Sequence, residues 1–130
     1  MPTKKTPSQR GRALREKGAR GELELAKYFK EAGFMEATRG RQFKGGGDSP
    51  DAVGLPGIHI EAKRTERLAL HDAVDQSRRD SAGSGNIPVV VYRCNRGAAS
   101  RGDWLVIQSL DDWLKTSGPW LARQKVEESI

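Results

Sequence analysis

The sequence predicts a mixed α/β domain, with parallel and antiparallel strands in one sheet and helices packed against it. Three observations predict it. Residues 19–32 and 68–82 each carry an apolar stripe at helical spacing. Between these stretches lie short extended runs, broken by "KGGGDSP" and by the "PG" at 56–57. After the second helical stretch comes "IPVVVYRCN" (87–95), a continuous apolar run that suits a buried strand reached by a crossover helix.

Each element follows from local chemistry. The first helix starts near Leu14 or Ala19 and ends at Ala32, and Gly33 suits the position after its cap. "MEATRGRQF" (35–43) reads as extended, and "KGGGDSP" (44–50) as a flexible loop. "PDAVGL" is a short strand, "PG" a turn, and "IHIEAKR" the next strand. "LALHDAVDQSRRDSA" is a helix with the stripe Leu70, Ala73, Val74 and Ser77, and "GSGN" ends it. A basic loop, "RGAASRG" (96–102), separates strand 87–95 from strand "DWLVIQS" (103–109). "LDDWLKT" is a short amphipathic helix, with Ser109 placed to cap it and Trp113 placed to reach the core. The order is α-β-β-β-α-β-β-α, a three-strand meander followed by a helical crossover. We expect a flexible basic arm over 1–16, one domain over 17–117, and a tail over 118–130 with room for one more helix.

Composition narrows the function classes. The chain has 130 residues, 35% hydrophobic and 31% charged, enough for one modest core. No apolar run approaches a membrane span, so a soluble, cytoplasmic protein without a membrane partner is expected. The single cysteine, Cys94, excludes a disulfide within this sequence and a multi-cysteine zinc site. The formal net charge is +6, and its position matters more than its size. Residues 1–20 hold Lys4, Lys5, Arg10, Arg12, Arg15, Lys17 and Arg20 against Glu16 alone, and the remaining residues balance. Such an arm binds polyanions through phosphate contacts and counterion release, which points to nucleic acid.

One stretch carries chemistry. In "DSPDAVGLPGIHIEAKR" (48–64), strand alternation puts Ile58 and Ile60 on one face and His59, Glu61 and Lys63 on the other. An antiparallel pairing across the "PG" turn would bring Asp51 within reach of Glu61. Two converging carboxylates make a hard-oxygen site that suits Mg2+ or Mn2+. Lys63 on the same face is placed to orient a water or to stabilise charge on a phosphate. A solvated strand face with a Glu–Lys pair would carry the same residues.

The first helix adds a third acid. At about 100° per residue, Glu22 falls inside the stripe of Leu25, Ala26, Phe29 and Ala32, while Glu24 and Glu31 fall on the opposite, wet face. An inward carboxylate needs a partner or a metal, unless it escapes to solvent at the helix start and is stabilised by the dipole there. Gln76, on the flank of the second helix, is placed to hold a phosphate or the attacking water. Arg39, Arg41 and Lys44 flank the glycine-rich loop, and Arg64 and Arg67 follow Lys63; with Arg20 these are the candidate DNA-backbone contacts. His59 and His71 receive no catalytic role.

"SPD…IEAK" resembles the PD-(D/E)xK nuclease superfamily. More narrowly, "KGARGELELAKYFKEAGF" (17–34) resembles the opening helix of archaeal-type Holliday junction resolvases, with Gly18, Glu22, Gly33 and Phe34 at that family's positions. Its glycine-rich loop, proline–aspartate strand start and acid-x-lysine strand match Gly45–Gly47, Asp51, Glu61 and Lys63, and its helical glutamine matches Gln76. The resemblance implies a restriction-endonuclease-like mixed β-sheet flanked by α-helices. It implies a metal held by Asp51, Glu61 and the Ala62 carbonyl, Lys63 beside the attacking water, and Glu22 as an accessory acid. It also implies a homodimer that nicks four-way DNA junctions. "RGAASRG" and the tail after Thr116 match nothing in that family. Two further readings use the same residues: another nuclease of the superfamily, acting on duplex, flap or mismatched DNA, and a non-catalytic DNA-binding module.

Overall fold

The computed structural model describes residues 6–40, 50–94 and 104–129. Its elements are α1 (Pro7–Glu31), β1 (Thr38–Arg39), β2 (Ala52–Val53), β3 (Ile58–Thr65), α2 (Leu70–Ser81), β4 (Ile87–Cys94), β5 (Leu105–Ile107) and α3 (Leu110–Glu128), in the expected order. The five strands form one sheet in the order β1-β2-β3-β4-β5. β1, β2 and β3 pair antiparallel, β3 and β4 pair parallel through the α2 crossover, and β5 returns antiparallel to β4. This is a mixed α/β fold with a five-stranded mixed sheet flanked by helices.

Two faces of the sheet are buried for different reasons. Ile60 packs with Leu25 of α1, Ala52, Val89 and Val91, and Phe29, Leu55, Ile58, Ala62 and Trp104 extend this cluster. The other face lies under α2, which presents small buried residues, Ala73, Ser77 and Ser81. Small side chains let a helix sit close to the sheet, and here they close over polar groups. His59 and Glu61 are 2% and 4% exposed. The alternation predicted along β3 is present, but its charged face is roofed rather than open at these two residues. Leu70, expected in the α2 stripe, is exposed instead.

Both ends of the chain are more helical than the apolar spacing predicts. α1 starts at Pro7, so residues 7–16, expected to be part of a flexible arm, are its first turns. The cause is a capping box, not a stripe. Thr6 accepts from the Gln9 N–H, the Gln9 side chain accepts from the Thr6 N–H, and Pro7 takes the first helical position, where no donor is missed. α3 continues through Gly118 and Pro119 to Glu128 as one helix capped by Ser109, rather than stopping near Thr116. Proline's fixed φ is helical, and the carbonyl deprived of a donor is that of the exposed Lys115. α3 meets the fold through its polar side. Asp112 is its buried residue, and Thr116 takes a hydrogen bond from Gln108. Trp113, expected to reach the core, is exposed along with Leu110, Leu114 and Trp120.

Candidate active site at the edge of the sheet

Asp51 stands where β2 begins, and three backbone features fix it there. Its N–H donates to the Ile60 carbonyl (2.7 Å), its carbonyl accepts from the Gly40 N–H (2.9 Å), and Ala52 pairs with Ile60 in register. Gly40 is needed at this point, because a Cβ there would lie 1.9 Å from the Pro50 carbonyl oxygen. The Asp51 side chain then accepts the Ala62 N–H at 2.8 Å. In a strand the N–H and C=O of one residue point to the same side, so the Ala62 carbonyl also points toward the Asp51 edge.

Two more carboxyls meet Asp51 from opposite faces of the sheet. Glu61 comes from β3 on the α2 side. Burial pushes its carboxyl up to about 9, and the neighbouring Asp51 and then Asp80 push in the same direction by charge and hydrogen bonding. Glu22 comes from α1. Burial raises its pKa, the hydrogen bond from Arg39 pulls it back, and Asp51 raises it again. The Arg39 Nε to Glu22 Oε2 distance is 2.5 Å. Glu22 therefore faces inward, as the stripe predicts, with a guanidinium as partner.

Lys63 and Gln76 complete the group on the α2 side, with Lys63 Nζ donating to Gln76 Oε1 at 3.1 Å. Beside them opens a depression of about 290 Å3, lined also by Thr65, Arg67, Leu68, Ala69, Asp72 and Ala73. The site thus runs from buried Glu61, past Asp51 at the sheet edge, to Lys63 and Gln76 at the mouth of an open cleft.

The residues expected to contact DNA divide into three groups. Arg41 and Lys44, with the glycine-rich loop and "RGAASRG", lie outside the described residues. Arg20 and Arg67 are exposed. Arg39 and Arg64 are paired with carboxylates of α1, the exposed Arg39 with Glu22 and the partly buried Arg64 with Glu24 (2.9 Å). Glu24, expected on the wet face, also takes Arg93 and so ties α1 to both β3 and β4. The helical wheel places Glu24 away from the stripe, but long guanidinium side chains from two neighbouring strands reach it.

Three contributors carry no motif in the sequence. His59 has no expected catalytic role, yet its Nε2 lies 3.0 Å from Glu61 Oε1. The signal was its spacing, two residues before Glu61 on the same face. Asp80 acts on both His59 and Glu61. It lies one helical turn beyond Gln76, and that spacing was readable. Arg93 had no local signal, because its partner is 69 residues away.

Asp51, Glu61 and the Ala62 carbonyl offer an all-oxygen donor set of the kind hard divalent cations prefer. Among the described residues no Lys or Arg pairs with Asp51 or Glu61. Also among the described residues, no three of His, Cys, Asp and Glu are grouped so as to hold a metal ion. A cation here would rely on the two carboxylates, the carbonyl and water. Among the described residues no helix is long and apolar enough to cross a membrane. The chain matches no family model, no curated protein and no solved structure.

Proposed function

We propose that the chain is a Mg2+- or Mn2+-dependent DNA endonuclease on a restriction-endonuclease-like sheet, and within that class a homodimeric Holliday junction resolvase acting on cytoplasmic DNA. The observation that carries the proposal is the convergence of Asp51 and Glu61 at the start of β2, with Lys63 and Gln76 at the adjoining cleft. Few structural needs explain a buried glutamate and an aspartate set against each other, with no Lys or Arg paired to either among the described residues.

Each residue has a role in this reading. Asp51 and Glu61 would hold the cation, and the Ala62 carbonyl would supply a neutral third oxygen. When bound, the cation stabilises charge on the phosphodiester and acidifies water. Lys63 faces the phosphate from the cleft, and its bond to Gln76 fixes an otherwise mobile ammonium. Glu22, held by Arg39, adds an acid on the α1 side of the same edge. The basic first turns of α1 and the cleft residue Arg67 hold the polymer through its phosphates.

The junction preference rests on the resemblance of residues 17–34 and is tested by substrate choice. A synthetic four-way junction and a linear duplex built from its arms are incubated with the protein and Mg2+, with and without chelator. Preferential nicking of the junction, lost on chelation, is expected. Equal cutting of both substrates assigns the chain to another nuclease of the superfamily.

A further inference from the structure

His59 lies on the roofed face of β3, between α2 and the sheet, at 2% exposure. Its register partner on β4 is Pro88, and Val90, opposite Glu61, is the next residue of β4 on that face, so an aliphatic side chain would suit the packing there. Burying an imidazole is costly unless its nitrogens are bonded. The proposed chemistry uses Glu61 and leaves His59 unexplained. An imidazole supplies a nitrogen that an aliphatic residue lacks, and that nitrogen is 3.0 Å from Glu61 Oε1. An imidazole nitrogen hydrogen-bonds a carboxyl oxygen, and at this distance the contact fixes the orientation of the Glu61 side chain.

We infer that His59 is a positioning residue for the cation site: its Nε2 anchors Oε1 of Glu61 and presents the carboxyl group to Asp51. The inference rests on the proposed metal site and adds to it a residue that touches neither DNA nor metal.

The test is calorimetric titration of the full chain with Mn2+ alone, without DNA. Three variants are compared: His59→Gln, whose amide reaches Glu61, His59→Asn, one methylene shorter, and His59→Phe, which keeps a ring without nitrogen. Partners of metal-ligating groups are worth about 10–100-fold in affinity. His59→Asn and His59→Phe should lose that much, while His59→Gln should stay within about threefold of wild type. Either loss variant serves if the other does not fold. Equal weakening by Gln and Asn would assign His59 to packing alone, and unchanged affinity in Asn or Phe would also overturn the inference. If the wild type itself takes up no Mn2+, the metal reading falls and this inference with it. Uptake by wild type matched by the Phe variant removes only the role of His59.

Discussion

Ala62 donates its backbone N–H to Oδ2 of Asp51 across 2.8 Å, so the aspartate that opens β2 is tied to the strand that carries Glu61 and Lys63. This bond separates the structural work of Asp51 from its chemical work. In Asp51→Asn the amide oxygen still accepts from Ala62, and stability should stay within about 1 kcal/mol of wild type by urea unfolding. Asp51→Ala leaves that N–H without its partner and should cost about 1–3 kcal/mol. Both variants should lose metal uptake.

Lys63 and Gln76 should separate binding from chemistry. Lys63→Met removes a charge from the cleft mouth but no carboxylate, so Mn2+ affinity should persist or rise. Turnover should fall about 10²–10³-fold, the scale on which single preorganised electrostatic groups act. Gln76→Ala frees the ammonium and should lower turnover less. Single-turnover cleavage with a parallel Mn2+ titration distinguishes these outcomes.

The pH dependence of the metal-free protein follows from three shifts. Glu61 titrates near 9 when folded and near 4.5 when unfolded, so the folded state keeps a proton that the unfolded state releases. Its contribution is complete below about pH 4.5 and is lost as pH rises toward 9. Glu22, also raised, acts in the same direction. His59 acts oppositely: its folded pKa lies below the ordinary 6.5, so stability falls as pH drops below that value. Above about pH 6.5 His59 is neutral in both states, and the thermal midpoint should decline toward pH 9. Glu61→Gln should flatten that decline and raise the midpoint at pH 8 by a few degrees, roughly 1 kcal/mol at this size. Mn2+ should reverse the trend, binding more tightly as pH rises and releasing protons.

Glu24 takes Arg64 from β3 and Arg93 from β4, and so fastens α1 across the parallel pair. Glu24→Ala leaves two guanidinium groups close together without their shared carboxylate. Because the Glu24 side chain is 38% exposed, the cost should be modest, about 1 kcal/mol in urea unfolding. Adding Arg93→Ala should cost less than the sum of the two single changes, as expected for residues that share a partner.

What was legible in the sequence had short-range causes. The alternation of 58–63 places Ile60 in the core and Glu61 opposite it, and the "PG" turn predicts the antiparallel β2–β3 pairing, which the structure shows with Ala52 opposite Ile60. The single helix between two apolar strands announced the parallel crossover. What was not legible depended on partners distant in sequence. The wheel gave Glu24 to solvent because Arg64 and Arg93 are invisible to helical periodicity. Amphipathic spacing sends Trp113 to the core, whereas α3 buries Asp112 and bonds to Gln108 through Thr116. Residue type and spacing single out Glu22, Asp51, Glu61, Lys63 and Gln76, and the structure brings them to one region of the sheet, whereas His59 and Asp80 match no motif.

Cleavage itself tests the central claim most directly. The rate of nicking of a labelled four-way junction is measured at saturating Mg2+ for wild type and for Asp51→Asn, which keeps the bond to Ala62 and hence the fold. The account predicts metal-dependent cutting by wild type and a loss of at least about 10²-fold in the variant. Equal rates for the two proteins, or no metal-dependent cleavage of any DNA by the wild type, would contradict it.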